Sequence, residues 1–178
     1  MNASLFLIVG NSASGKDTAI SYALNKISNL KKAKRYITRE ASSTEDFISI
    51  KKEEFIKKDY ALWWESYDKL YGVKKEDVII HLLNGTSIIL NISRDVISQA
   101  KKLWDKSYIV EFSVPVEIIK QRLAERKRES NEEIIKRIER AKQGIDTHAD
   151  IIIDTSSPDA SIAGKKLEEF INSKLNNE

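Results

Sequence analysis

The run from Ser4 to Val9 is apolar at every position after the serine and is closed by Gly10. Such a run reads as a strand buried on both faces of a parallel sheet. A glycine-rich turn follows, and then a helical pattern over about Lys16 to Ile27. Further buried strands are predicted at Ser87 to Asn91, Tyr108 to Ser113 and Asp150 to Asp154, each separated from the next by helical pattern. This alternation predicts right-handed βαβ crossovers and an open α/β sheet with helices on both faces. Ser130 with Glu133 three residues on forms a capping box for a helix over Glu132 to Gln143. Ser157 followed by Pro158 predicts the N-cap and first turn of the last helix. The stretch from Tyr36 to Val73 is polar, aromatic and broken into short pieces such as Phe47 to Ile50 and Leu62 to Trp64. It predicts a small insertion with short strands of its own, lying over the ligand-binding edge of the sheet.

Gly10-Asn11-Ser12-Ala13-Ser14-Gly15-Lys16 has G-x-x-x-x-G-K spacing between a buried strand and a helix. The glycines let backbone N–H groups curl around a phosphate, the helix N-terminus adds its dipole, and Lys16 reaches the β and γ phosphates of a nucleotide. The loop therefore predicts a P-loop NTPase fold that binds ATP through Gly10 to Thr18. Where a hydroxyl residue is expected after the lysine, this chain has Asp17, followed by Thr18; a carboxylate there can contact Mg2+ directly or through water. The strand Ser87 to Leu90 ends in Asn91, with no acid to orient an attacking water, so transfer to a bound acceptor is expected in place of ATP hydrolysis.

Composition narrows the classes. A chain of 178 residues with 41% hydrophobic content has the size of one domain. No apolar run approaches the roughly 20 residues that cross a bilayer, and the first is too short for a signal peptide. The expectation is a cytoplasmic protein with no membrane association. Cysteine is absent, which excludes thiolate catalysis, disulfides and cysteine-zinc sites. His81, in an apolar helical stretch, and His148, in a polar connection, form no ligand pattern. The net charge of +3 is mild and the basic residues are dispersed, so nucleic acid is not an expected partner.

Basic residues do cluster locally. Arg122 and Arg126 lie four apart on one helix, Lys127 and Arg128 follow in a polar loop, and Arg137 and Arg140 lie three apart on the next helix. A helix-loop-helix with inward arginines suits a phosphoryl-transfer lid, here over residues 126–132, because guanidinium forks stabilise charge on the moving phosphoryl oxygens. Arg35 and Arg39 flank Tyr36-Ile37-Thr38, and alternation along an extended segment puts both on one face, where they can meet one acceptor phosphate.

Taken together, the loop with Gly15-Lys16-Asp17, the run Arg35-Tyr36-Ile37-Thr38-Arg39, Leu70-Tyr71-Gly72-Val73, the Asn91-x-Ser93-Arg94 strand end, and Gln121-Arg122-Leu123 through Arg126 and Arg128-Glu129 resemble, in order, the ribose 1,5-bisphosphate phosphokinase family within the guanylate-kinase-like P-loop kinases. The resemblance spans nearly the whole chain. It implies transfer of the ATP γ-phosphoryl group onto the 1-phosphate of ribose 1,5-bisphosphate. The implied working residues are Lys16, Asp17, Arg122, Arg126, Arg128 and Arg137, with Arg35, Arg39, Tyr71, Asn91, Ser93 and Arg94 at the acceptor. Assembly as a homodimer is compatible with it.

Two alternatives bear comparison. Guanylate kinases resemble this chain in fold, loop, Tyr71-Gly72 and lid, but carry a guanine-reading glutamate nine residues before that tyrosine, where this chain has Leu62. Inactive phosphopeptide-binding domains of the same group usually erode the phosphate loop, whereas Gly10, Gly15 and Lys16 are intact here. One departure from the phosphokinases stands out: after Trp64 they carry a small, glycine-containing stretch, and this chain has Glu65-Ser66-Tyr67-Asp68. A bisphosphate fits beside these acids if they face solvent or pair with Arg35 or Arg39.

Overall fold

A computed structural model describes residues 3–41, 47–126, 129–144 and 146–176. Its centre is a five-stranded, wholly parallel sheet: β1 (Leu5–Gly10), β2 (Leu30–Lys32), β7 (Ser87–Asn91), β8 (Ser107–Ser113) and β9 (Ile151–Asp154), ordered β2-β7-β1-β8-β9. Helices α1 (Lys16–Lys26), α2 (Glu76–Leu83), α3 (Ile97–Leu103), α4 (Val116–Arg126), α5 (Asn131–Lys142) and α6 (Ala160–Asn176) make the connections or close the chain.

The unbroken apolar character of β1 follows from its position, because both of its faces are covered. Phe6 and Ile8 pack with Ala19, Ile20 and Ala23 of α1 and with Leu167 and Ile171 of α6. Leu5, Leu7 and Val9 point the other way, toward Val78 of α2 and Ala100 of α3. Each fully buried side chain of this kind contributes about 1.5–3 kcal/mol, so β1 is fixed from both sides and the loop that leaves it starts from a rigid base.

The segment between β2 and α2 forms a second sheet of four short strands, β3 (Tyr36–Ile37), β4 (Ile48–Ser49), β5 (Leu62–Ser66) and β6 (Lys69–Val73), ordered β4-β3-β6-β5. Strands β3 and β4 run parallel, and the other pairings are antiparallel. Leu62, Trp64 and Val73 bury against the first sheet's Leu7 and Leu90 side, which anchors the second sheet above the C-terminal ends of β1 and β7.

Helix α5 opens on the expected capping box: the Ser130 hydroxyl accepts from the Glu133 N–H at 3.2 Å, and the Ser130 N–H donates to the Glu133 carboxylate at 2.9 Å. The last helix departs from expectation. It begins at Ala160, because Ser157 accepts the Asp159 N–H at 3.1 Å while the Asp159 carboxylate accepts the Ser161 N–H at 2.9 Å. The aspartate, with the stronger acceptor, caps the helix and leaves Ser157-Pro158 in the preceding turn. Among the described residues, no helix is long and apolar enough to cross a membrane.

Candidate active site

The phosphate loop leaves β1 through a conformation that excludes any side chain. Gly10 has φ +145°, and a Cβ there would lie 2.5 Å from the Phe112 carbonyl oxygen. Gly15 stands at the N-terminus of α1 with φ +81°. Thr155, just after β9, donates its hydroxyl to the Ser14 carbonyl at 2.9 Å. Arg122 donates one nitrogen to the Ala13 carbonyl at 3.2 Å and another to the Thr155 carbonyl at 2.6 Å. These contacts tie the loop to the end of the sheet from behind.

Lys16 folds back over the loop. Its ammonium donates to the Gly10 and Asn11 carbonyls at 2.8 and 2.6 Å and to the Ser14 hydroxyl at 3.2 Å. Burial, together with the positive fields of Arg35, Arg126 and Arg94 and against the attraction of Asp17, lowers its pKa to about 8. A phosphate anion reverses that imbalance. Asp17 lies 3.6 Å from the Lys32 ammonium. Partial desolvation pushes its carboxyl up, but Lys32, Lys16 and Arg35 together outweigh this and leave it below the ordinary carboxylate value, so it is anionic at neutral pH.

Above the loop lies a cleft bounded by α1, the second sheet, the end of β7, α4 and α5. Lys16, Arg35, Arg39, Arg94, Arg126, Arg137 and Arg140 line it, and its acids are Asp17 and Glu129. Ile37 lies on its wall between Arg35 and Arg39, so the alternation read from the sequence places both arginines on one side. Arg39 also stacks on Phe47, 4.6 Å from the ring centroid. Trp64 and Tyr71, stacked at 5.3 Å with planes 7° apart, form another part of the wall. Asn91 is buried at the end of β7, with Ser93 and Arg94 beside it. Arg94 donates to the Asn11 side-chain oxygen at 2.9 Å.

Helix α5 brings its arginines to the loop from the far side. Arg137 donates to the Ser12 hydroxyl and lies 3.6 Å from Glu129, while Arg140 donates to the Ser93 hydroxyl at 2.9 Å and to the Asp95 carboxylate. Arg35 Nε, Arg137 Nε and one Glu129 oxygen are buried without hydrogen-bond partners. These three border the cleft, whereas the other such atom among the described residues, Asp77 Oδ2, does not; two of the three are arginine donors that a bound anion would satisfy.

The residues named from the sequence separate into three groups. Gly10 through Thr18, Arg35, Arg39, Tyr71, Asn91, Ser93, Arg94, Arg126 and Arg137 all border the cleft. Arg122 does not: it shares a helix with Arg126, but its guanidinium is committed to the two carbonyls behind the loop. Arg128 lies outside the described residues. Arg140, Glu129, Trp64, Ser66 and Tyr67 also border the cleft. For Arg140 the signal was its spacing of three from Arg137; for Tyr67 nothing in the local pattern announces a role.

The acids that followed Trp64 are accounted for. Glu65 and Asp68 are exposed and do not line the cleft, and Asp68 lies 3.6 Å from the Lys136 ammonium. A second cavity opens behind the loop, sharing Ala13, Gly15, Thr18 and Arg126 with the cleft and bounded otherwise by Arg122, Glu125 and the segment from Asp154 to Ala163. Among the described residues, no three His, Asp or Glu side chains converge as a metal centre. A divalent ion at Asp17 therefore needs oxygens from a nucleotide and from water, which is the usual donor set of Mg2+.

A phosphate loop at the end of the central strand of a parallel sheet, faced by inward arginines, defines a P-loop kinase. The structure is similar to guanylate kinase from Anaplasma phagocytophilum, with a TM-score of 0.70 over 97% of this chain and 86% of that one at 14% identity. In sequence the chain is 32% identical to ribose 1,5-bisphosphate phosphokinase PhnN of Desulfomicrobium baculatum, over 96% of this chain and 97% of the relative. It is also 32% identical to the protein of that name from Psychromonas ingrahamii, over 94% and 89%. The chain belongs to the ribose 1,5-bisphosphate phosphokinase family. No protein-family model matches it.

Proposed function

We propose that this protein transfers the γ-phosphoryl group of ATP to the 1-phosphate of ribose 1,5-bisphosphate, giving 5-phosphoribosyl 1-diphosphate and ADP. The observation that carries this reading is the charge of the cleft, where the cations named above face two acids, one of them already paired with Arg137. Such an excess suits two phosphorylated substrates held at once, the acceptor bringing a phosphate at each end.

The adenosine end of ATP lies in the second cavity, and its phosphates pass over Ala13 and Gly15 into the cleft. Lys16 swings from the loop carbonyls to the β and γ phosphates. Mg2+ neutralises charge on those phosphates when bound, and Asp17 is the side chain that would hold it. Arg35 and Arg39 take an acceptor phosphate from the second sheet, so that the insertion over 36–73 serves the acceptor. Arg126 and Arg137, which line the cleft, act on the transferring group, and the segment over 126–132 is assigned as the lid.

An acceptor phosphate oxygen attacks the γ phosphorus as the bond to the β–γ bridging oxygen breaks. The attacking oxygen is already ionised at neutral pH, so no general base is required, and catalysis consists of alignment and charge stabilisation. Arg122 acts as a brace that holds the loop. Guanine reading has no support in the position that a guanylate kinase uses for it, since Leu62 is fully buried between the sheets and offers no hydrogen bond. The setting proposed is cytoplasmic, without nucleic acid or membrane.

The test is ADP release from Mg-ATP with ribose 1,5-bisphosphate, GMP, AMP, CMP and UMP compared under the same conditions. Preference for the sugar bisphosphate by at least about a hundredfold in kcat/KM is expected, because unmatched polar groups discriminate at that level. Preference for any nucleotide would overturn the acceptor assignment.

A further inference from the structure

Strands β5 and β6 pair Ser66 with Lys69, so the hairpin turns on two residues, Tyr67 and Asp68. Both have positive φ, +51° and +60°. A two-residue hairpin of this handedness favours Asn-Gly or Asp-Gly, and a bulky aromatic at positive φ is a local cost. Such strain is kept where the side chain has a task. Here the ring reaches across to α5, with the Arg137 guanidinium 4.6 Å from its centroid and that of Arg140 at 6.0 Å. The neighbouring Asp68–Lys136 pair holds the same turn to the same helix at 3.6 Å. Arg137 in turn contacts Ser12 of the phosphate loop. The turn thus joins the second sheet to α5, and through Arg137 to the loop.

We propose that Tyr67 is a positioning residue for phosphoryl transfer: its ring sets Arg137 against the phosphate loop and makes the second sheet and α5 move as one unit. This rests on the kinase reading above. The ring's role is electrostatic and steric, since an aromatic face attracts a guanidinium and the planar fork on it keeps its in-plane donors for phosphate. The hydroxyl is not required.

Two variants separate this from a role in folding. Tyr67→Asn removes the ring but keeps a residue that tolerates positive φ, whereas Tyr67→Phe keeps the ring. With ATP and ribose 1,5-bisphosphate, Tyr67→Asn should lower kcat by about 5- to 30-fold, the worth of a partly desolvated cation–π contact. KM for both substrates should stay within about twofold and the melting temperature should not fall; Tyr67→Phe should hold kcat within about twofold of the parent. Amide hydrogen exchange over residues 131–142, measured without substrate, should accelerate in Tyr67→Asn and not in Tyr67→Phe. If the parent turns over GMP in place of the sugar bisphosphate, the acceptor assignment fails, and the same comparison run with GMP still judges Tyr67. If the parent turns over neither, the exchange comparison decides. An unchanged kcat or unchanged exchange in Tyr67→Asn, an equal loss in Tyr67→Phe, or a loss confined to the acceptor KM would overturn the proposal.

Discussion

Replacing Lys16 by Met keeps the stem and removes the charge, and the structure sets both consequences. In the free protein the ammonium is held by two carbonyls and one hydroxyl at 2.6–3.2 Å. Burial and the surrounding arginines nevertheless lower its pKa from 10.5 to about 8. That difference corresponds to roughly 3 kcal/mol against the charged form in the folded state. The lost hydrogen bonds, each worth about 0.5–1.5 kcal/mol net, are therefore offset by removal of an unfavourable charge. The melting temperature should change by no more than about 4 °C, the shift that about 1 kcal/mol produces in a chain of this size. Turnover should respond very differently. A donor aimed at the transferring phosphate is worth about 10²–10³ in kcat, or roughly 3–4 kcal/mol. A coupled assay of ADP release beside a thermal melt reads both quantities. Retention of kcat to within tenfold, or a fall in melting temperature of more than about 10 °C, would refute the reasoning, the first by removing Lys16 from the chemistry and the second by making it a structural post.

Three further outcomes follow from the same geometry. Arg39→Ala should raise KM for the acceptor by about tenfold or more while changing KM for ATP less than about twofold, as loss of one charge-assisted contact requires; equal changes would place Arg39 outside the acceptor site. As pH rises through about 8, the free enzyme loses the Lys16 charge, so kcat/KM for ATP should fall by about tenfold per pH unit while kcat holds to higher pH, because bound phosphate restores the proton; the lysine's folded pKa lies below its unfolded one, so its stability cost is present below pH of about 8 and fades above it. A flat kcat/KM between about pH 7 and 9.5 would contradict this. Gly10→Ala, with its Cβ driven to 2.5 Å from the Phe112 carbonyl, should cost roughly 3 kcal/mol and about 10 °C in melting temperature, and a variant that melts within about 2 °C of the parent would show that the loop relaxes.

Strand β1 and the phosphate loop were legible because two strong local signals coincide there: an apolar run covered on both faces and a fixed glycine spacing. The α5 start was legible because both partners of its capping box lie within four residues. Strand β2 was not, since Leu30-Lys31-Lys32 has no apolar alternation and is a strand by virtue of pairing with β7. The start of α6 was misplaced because two potential caps stand in tandem and competition between their hydrogen bonds decides. Arg122 and Arg126 look equivalent at a spacing of four, yet one guanidinium is captured by carbonyls contributed from residues 13 and 155. Tyr67 illustrates the same limit, because its partners lie about 70 residues away on α5.

The central claim is that the acceptor atom is the oxygen of a sugar 1-phosphate. Phosphorus NMR of the protein with Mg-ATP and ribose 1,5-bisphosphate tests it most directly. The account predicts a new pair of coupled diphosphate resonances attached to C1 of the sugar, growing in equal amount to ADP, with the 5-phosphate signal retained. ADP formed together with inorganic phosphate, or with no sugar diphosphate, would contradict it.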